Sequence, residues 1–147
     1  MMYLPENVDS RELLNTIREL SWDIAKIFKS FNQRVKNPKS SKKKLDIKNF
    51  KTGPVTSADI EISELIKNRI RNRYPSQKWE FLSEEDKKDN KNRIYKSKWV
   101  WIIDPLDGTK DFIKETGEYA MHLALTFEKN IILGIVLIPE KNQLWIS

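Results

Sequence analysis

An α+β fold is predicted, with a pair of helices layered on an antiparallel sheet. Three observations point to it. Leu13, Leu14, Ile17, Leu20, Ile24, Ile27, Phe28 and Phe31 recur at spacings of three and four, the stripe of an amphipathic helix. Ala58, Ile62, Leu65, Ile66 and Ile70 repeat that pattern further on. From Trp99 the period changes: apolar runs at 99–103 and 131–138, a loose alternation over 118–127, and Leu144-Trp145-Ile146 are separated by turn residues. Helices followed by a meander of strands define a layered α+β class.

Each element has local signals. Asp9 and Ser10 can cap the first helix, and Trp22 lies on its apolar face or at its edge. Over 33–49 the stripe disappears and Lys36, Lys39, Lys42, Lys43, Lys44 and Lys48 accumulate around Pro38, Ser40 and Ser41, as in an exposed, mobile basic linker. Such a run can collect polyanions, but it lacks the interleaved aromatics of a nucleic-acid surface. Thr56 can cap the second helix with Asp59 at its third position, a capping-box pattern, and Tyr74-Pro75 ends it. A short strand, Trp79 to Leu82, runs into Ser83-Glu84-Glu85-Asp86, and charged or polar residues then dominate to Lys98. Asn130 and Pro139-Glu140-Lys141-Asn142 supply the later turns. His122 falls inside a strand among apolar neighbours, where packing and hydrogen bonding account for it, and it receives no catalytic role.

Composition narrows the chemistry. A chain of 147 residues forms one domain with a real core. It has no cysteine, which excludes disulfides, thiolate zinc sites and a cysteine nucleophile. With one histidine, His-paired serine catalysis would have to use His122. The net charge of +6 is concentrated in the lysine-rich stretch. MMYLPENVDS lacks the basic and apolar regions of a signal peptide, and no apolar run approaches membrane-spanning length, so a cytoplasmic protein without a membrane partner is expected.

The chemistry centres on Trp99 to Tyr119, WVWIIDPLDGTKDFIKETGEY. A buried strand, Trp99 to Ile103, delivers Asp104 and Asp107 to the rim of a sheet. Pro105 holds Leu106 out of regular pairing and frees the Leu106 carbonyl as a donor between the carboxylates. Hard oxygen donors suit Mg²⁺. The amides of Gly108 and Thr109 then open a helix, whose start attracts phosphate. Turn and cap roles are the competing reading, since Asp-Pro and Asp-Gly are ordinary turn dipeptides. The coincidence of strand end, close carboxylates and helix start favours a metal.

DPLDGTKDF resembles the signature of the Mg²⁺-dependent, lithium-sensitive inositol monophosphatase superfamily. Lys110, Asp111-Phe112-Ile113-Lys114 and Gly117-Glu118-Tyr119 look most like its bacterial 3′(2′),5′-bisphosphate nucleotidase branch. Upstream, Lys51-Thr52-Gly53-Pro54-Val55-Thr56-Ser57-Ala58-Asp59 and Ser83-Glu84-Glu85-Asp86 are similar to two further motifs of that family, in the same order.

The resemblance implies that residues 1–147 are the N-terminal, metal-binding half of an αβαβα sandwich. The C-terminal half, with a W-D motif whose aspartate completes the second metal site, would be absent. It further implies two or three Mg²⁺ ions held by Glu84, Asp104, the Leu106 carbonyl and Asp107, with Glu85 a less directly involved neighbour. Glu84 and Thr109 would orient the attacking water, and Asp59 would order water around the metals. Asp107, Gly108, Thr109 and Lys110 would hold the phosphate, and Lys51 would sit on a mobile loop. The implied reaction is hydrolysis of the 3′-phosphate of adenosine 3′,5′-bisphosphate, with an inositol phosphate as alternative substrate. The partners expected are a small phosphorylated substrate and the missing half, and no specific nucleic acid. A metal- or phosphate-binding remnant, or a basic RNA-binding module, is the non-enzymatic alternative.

Overall fold

The first helix owes its length to one uninterrupted stripe. In the computed structural model, which describes residues 3–36, 47–50, 53–84 and 97–147, α1 covers Ser10–Lys36. The Asp9 carboxylate caps it by accepting a bond of 2.8 Å from the Glu12 amide. Leu13, Ile17, Leu20, Ile24, Phe28 and Phe31 are all buried, while Trp22 lies at the edge, 40% exposed. The helix runs three residues past the expected start of the linker, because Arg34 and Lys36 sustain a helix and nothing breaks it before Pro38. The other end of the expected linker is ordered too. β1 (Ile47–Phe50) pairs antiparallel with β2 (Gly53–Thr56) in a two-stranded sheet. Positions 37–46, with Lys39, Lys42, Lys43 and Lys44, lie outside the described residues, as do Lys51, Glu85 and Asp86.

α2 (Ser57–Arg73) begins with the expected box: the Thr56 hydroxyl accepts from the Ala58 amide, and the Asp59 carboxylate accepts from the Thr56 amide. Its buried stripe of Ala58, Ile62, Ile66 and Ile70 joins that of α1 in one core. The Arg69–Asp23 ion pair, 2.9 Å, ties the two helices at the surface.

Both helices cover one face of a five-stranded sheet made of β3 (Glu80–Ser83), β4 (Trp99–Asp107), β5 (Ala120–Phe127), β6 (Asn130–Ile138) and β7 (Gln143–Ile146), in that order. A five-residue helix, α3 (Thr109–Ile113), follows β4, and a 3-10 turn (Pro139–Lys141) precedes β7. The antiparallel pattern holds from β4 to β7, but β3 pairs parallel with β4. A parallel neighbour needs a crossover of about a dozen residues, and the stretch between Ser83 and Trp99 is long enough. Trp101, Ile103, Met121, Leu123, Leu125, Leu133, Ile135 and Leu137 alternate into the helix-covered core. Residues of the opposite register face outward: Ile102 is 42% exposed and Trp145 62%.

Candidate active site

Parallel pairing brings the C-terminal ends of β3 and β4 to the same edge of the sheet, and the acidic residues gather there. Glu84 follows β3, and its amide donates to the Ile103 carbonyl at 3.1 Å. Asp104 still faces His122 in the regular register of β4 with β5, which fails just beyond it: the next pair is Asp107 with Ala120. Pro105 and Leu106 thus oppose Met121 alone, a bulge that leaves Leu106 out of regular pairing as expected. The bulge turns Asp104 and Asp107 toward one region, Asp104 half-buried and Asp107 exposed.

Asp104 is the most perturbed acid of the site. Burial pushes its carboxyl up to about 6, with further upward contributions from Glu84 and then Asp107, while His122 and the Leu106 amide act the other way. Its Oδ1 is buried with no hydrogen-bond partner among the described residues. Three carboxylates and an orphaned oxygen are short of positive charge, which is the condition a divalent cation relieves. Among the described residues, however, no three His, Cys, Asp or Glu side chains close into a ready-made metal cage. That openness fits Mg²⁺, which is held by one or two carboxylates and keeps several waters. The Leu106 carbonyl is not wholly free, because it accepts from the Thr109 hydroxyl at 2.9 Å; its second lone pair is available.

The loop after Asp107 is shaped by Gly108, whose φ of +82° is left-handed. A Cβ there would lie 2.6 Å from the Glu118 carbonyl oxygen and 3.2 Å from the Tyr119 Cα. Only glycine permits both the turn and that close approach. The Gly108 carbonyl accepts from the Asp111 and Phe112 amides, each at 2.9 Å, and so starts α3. With five residues α3 has a small dipole, so phosphate affinity at Gly108 and Thr109 would come from loop amides, not from a helix field. Lys110 is exposed beside them. The loop is braced from behind: Tyr119 packs on Phe112 and Phe28, with ring centroids 4.9 and 5.2 Å away. Its hydroxyl donates to Glu140 at 2.7 Å and accepts from Asn32 at 2.8 Å.

Asp59 is buried at the start of α2, where its Oδ2 accepts from the Thr56 amide at 2.8 Å and the Thr56 hydroxyl at 2.5 Å. Burial raises its pKa, the Thr56 bonds oppose this, and Glu84 adds an upward push. Asp59 and Glu84 therefore sense each other although they come from different elements. His122 was set aside in the sequence as a packed residue. The structure places it across from Asp104, with Ile102, Trp145 and Ser147, in an open cavity of about 350 Å³ on the uncovered face of the sheet. Only the pairing register of β4 with β5 reveals that proximity, and a sequence pattern does not carry it.

A model of the inositol monophosphatase family matches residues 9–147. The chain belongs to the inositol monophosphatase family. It is 39% identical over 92 residues to the 3′(2′),5′-bisphosphate nucleotidase CysQ of Escherichia coli (strain K12), a match covering 63% of this chain and 36% of that protein. It is 33% identical over 91 residues to inositol monophosphatase 3 of Solanum lycopersicum, covering 62% of this chain and 33% of the relative. Among solved structures, an IMPase/NADP phosphatase complexed with Mg²⁺ and phosphate superposes with a TM-score of 0.73 at 20% identity, over 93% of this chain and 48% of that one. The fold is therefore that of this family, and the chain spans about half the length of the solved structure, less of the two curated relatives.

Proposed function

We propose that this chain is the metal-binding half of a Mg²⁺-dependent phosphomonoesterase acting on the 3′-phosphate of adenosine 3′,5′-bisphosphate. The observation that carries the reading is the buried Asp104 Oδ1, which lacks a partner among the described residues and belongs to a carboxyl that both Glu84 and Asp107 push upward. The nucleotide substrate is supported by the higher identity to the nucleotidase CysQ. An inositol phosphate is the second reading, favoured by the likeness to the tomato inositol monophosphatase.

Glu84, Asp104, the Leu106 carbonyl and Asp107 would hold the cations, which supply Lewis acidity and lower the pKa of water toward neutrality. Glu84 and the Thr109 hydroxyl orient the attacking water, and the buried Asp59, held by Thr56, orders water beside Glu84. Amides of Gly108 and Thr109 with the Lys110 ammonium hold the phosphoryl oxygens. Among the described residues no helix is long and apolar enough to cross a membrane.

The uncovered sheet face, where Ile102 and Trp145 are exposed, is the surface on which the remaining half of a family-length enzyme would pack. Without that half the site has one open, wet wall, and water weakens electrostatic contacts. Loss of stabilisation for one developing charge costs on the order of 10²–10³-fold in rate. Residues 1–147 alone are thus expected to release phosphate from adenosine 3′,5′-bisphosphate barely above background. Supplying the second half of a relative, fused or in trans, restores Mg²⁺-dependent, Li⁺-inhibited turnover, faster than with inositol 1-phosphate. Ordinary family rates from the short chain, or tight sequence-selective RNA binding at physiological salt, would overturn the proposal.

A further inference from the structure

Below the carboxylates lies a polar contact that the proposed chemistry leaves unused. Ser63 stands one helical turn after Asp59, on the same face of α2, and is 4% exposed. Ser83 is the last residue of β3, immediately before Glu84, and is fully buried. The Ser63 hydroxyl donates to the Ser83 Oγ at 3.2 Å.

Elsewhere α2 meets the core through Ala58, Ile62, Ile66 and Ile70, whose contacts are non-directional and tolerate small sliding along the helix axis. A hydrogen bond between hydroxyls does not. Two buried polar groups in an apolar interface also carry a desolvation cost that a pair of alanines would avoid. The end of β3 is thus held from two sides. On one, Ser83 pairs with Ile103 and the Glu84 amide bonds the Ile103 carbonyl; on the other, the Ser83 hydroxyl meets α2.

We propose that the Ser63–Ser83 hydrogen bond is a positioning contact that fixes Glu84 relative to Asp59 and Asp104. Neither serine touches the reacting groups. Each acts through its neighbour in the chain, Ser83 through Glu84 and Ser63 through the turn that carries Asp59. The use made of that spacing rests on the metal-site reading above, whereas the spacing itself does not.

The test uses the full 147-residue chain and the variants Ser63→Ala, Ser83→Ala, the double variant, and Ser63→Thr, which keeps the hydroxyl. Three readouts are taken: amide exchange at Glu84, melting temperature, and Mn²⁺ binding by electron paramagnetic resonance. Each single alanine variant should speed exchange at Glu84 about five- to tenfold, leave the amides of Leu123 and Leu125 unchanged, and weaken Mn²⁺ binding. The double variant removes the Ser63 hydroxyl that Ser83→Ala leaves without its partner, so melting temperature should recover from the Ser83→Ala value while the exchange and Mn²⁺ defects persist. Ser63→Thr should restore all three. Unchanged exchange in every alanine variant overturns the proposal, as does Mn²⁺ affinity that recovers with melting temperature in the double variant. If the unmutated chain binds no Mn²⁺ but exchange at Glu84 responds as described, the metal reading falls and the positioning role stands.

Discussion

Asp104→Asn should stabilise the metal-free chain at neutral and alkaline pH. The carboxyl is raised from 3.8 to about 6, first by burial and then by Glu84 and Asp107. A folded-state value above the unfolded one means that ionisation opposes folding. The penalty is fully developed above about pH 6, and is relieved as pH falls through 6 toward 4. The gap between 3.8 and about 6, at about 1.4 kcal/mol per pH unit, sets an upper bound of about 3 kcal/mol. Asp104 is only half-buried, and solvent screening brings this to about 1.5 kcal/mol. For a domain of this size that is about 5 °C in melting temperature. Calorimetric scans in EDTA should show the variant melting higher at pH 8, with the difference shrinking toward pH 4. Mg²⁺ at about ten times its Kd should add about 1.4 kcal/mol to the unmutated chain, enough to close the gap, and leave the variant where it was. A variant that melts lower in EDTA at pH 8, or that gains as much from Mg²⁺, would refute the reasoning.

Gly108→Ala forces a side chain into left-handed backbone with its Cβ 2.6 Å from the Glu118 carbonyl. We expect a loss of about 2 kcal/mol or more by urea unfolding, with the damage centred on the Gly108–Tyr119 contact in amide-exchange maps. Thr56→Ala removes the cap of α2 and one of the donors to Asp59, so about 1–2 kcal/mol should be lost by the same assay. Tyr119→Phe keeps the ring stack on Phe28 and Phe112 but deletes the hydroxyl between Asn32 and Glu140. Its expected cost of about 1 kcal/mol is a drop of about 3 °C in melting temperature.

Much of this was legible because it is periodic or local. The α1 stripe, the Thr56–Asp59 box and the interrupted pairing at Leu106 each follow from a few neighbouring residues, and each stands where expected. The family likeness was carried by the same short runs. What escaped the sequence depends on pairing across distance. A strand's residues do not declare whether its neighbour runs parallel, so the β3–β4 alignment that sets Glu84 beside Asp104 was not visible. His122 meets Asp104 only through the β4–β5 pairing, and Ser63 meets Ser83 only after α2 has packed on the sheet. The linker was overdrawn for the opposite reason: loss of an apolar stripe was taken for loss of structure, although a helix needs none in its last turn.

The parallel pair also bears on how the site comes into being. β5 to β7 follow one another with short turns, so their contacts are close in sequence and can form early. β3 must instead find β4 across a longer stretch of sequence, with a larger entropy of closure. Glu84 follows β3 and Asp104 lies on β4, so the carboxylates meet only after the folding barrier is largely crossed. A cation bound there would leave the refolding rate almost untouched and slow unfolding instead. In stopped-flow chevrons, Mg²⁺ should lower the unfolding limb and barely shift the refolding limb, making the ion a lock on a finished fold and not a seed for it.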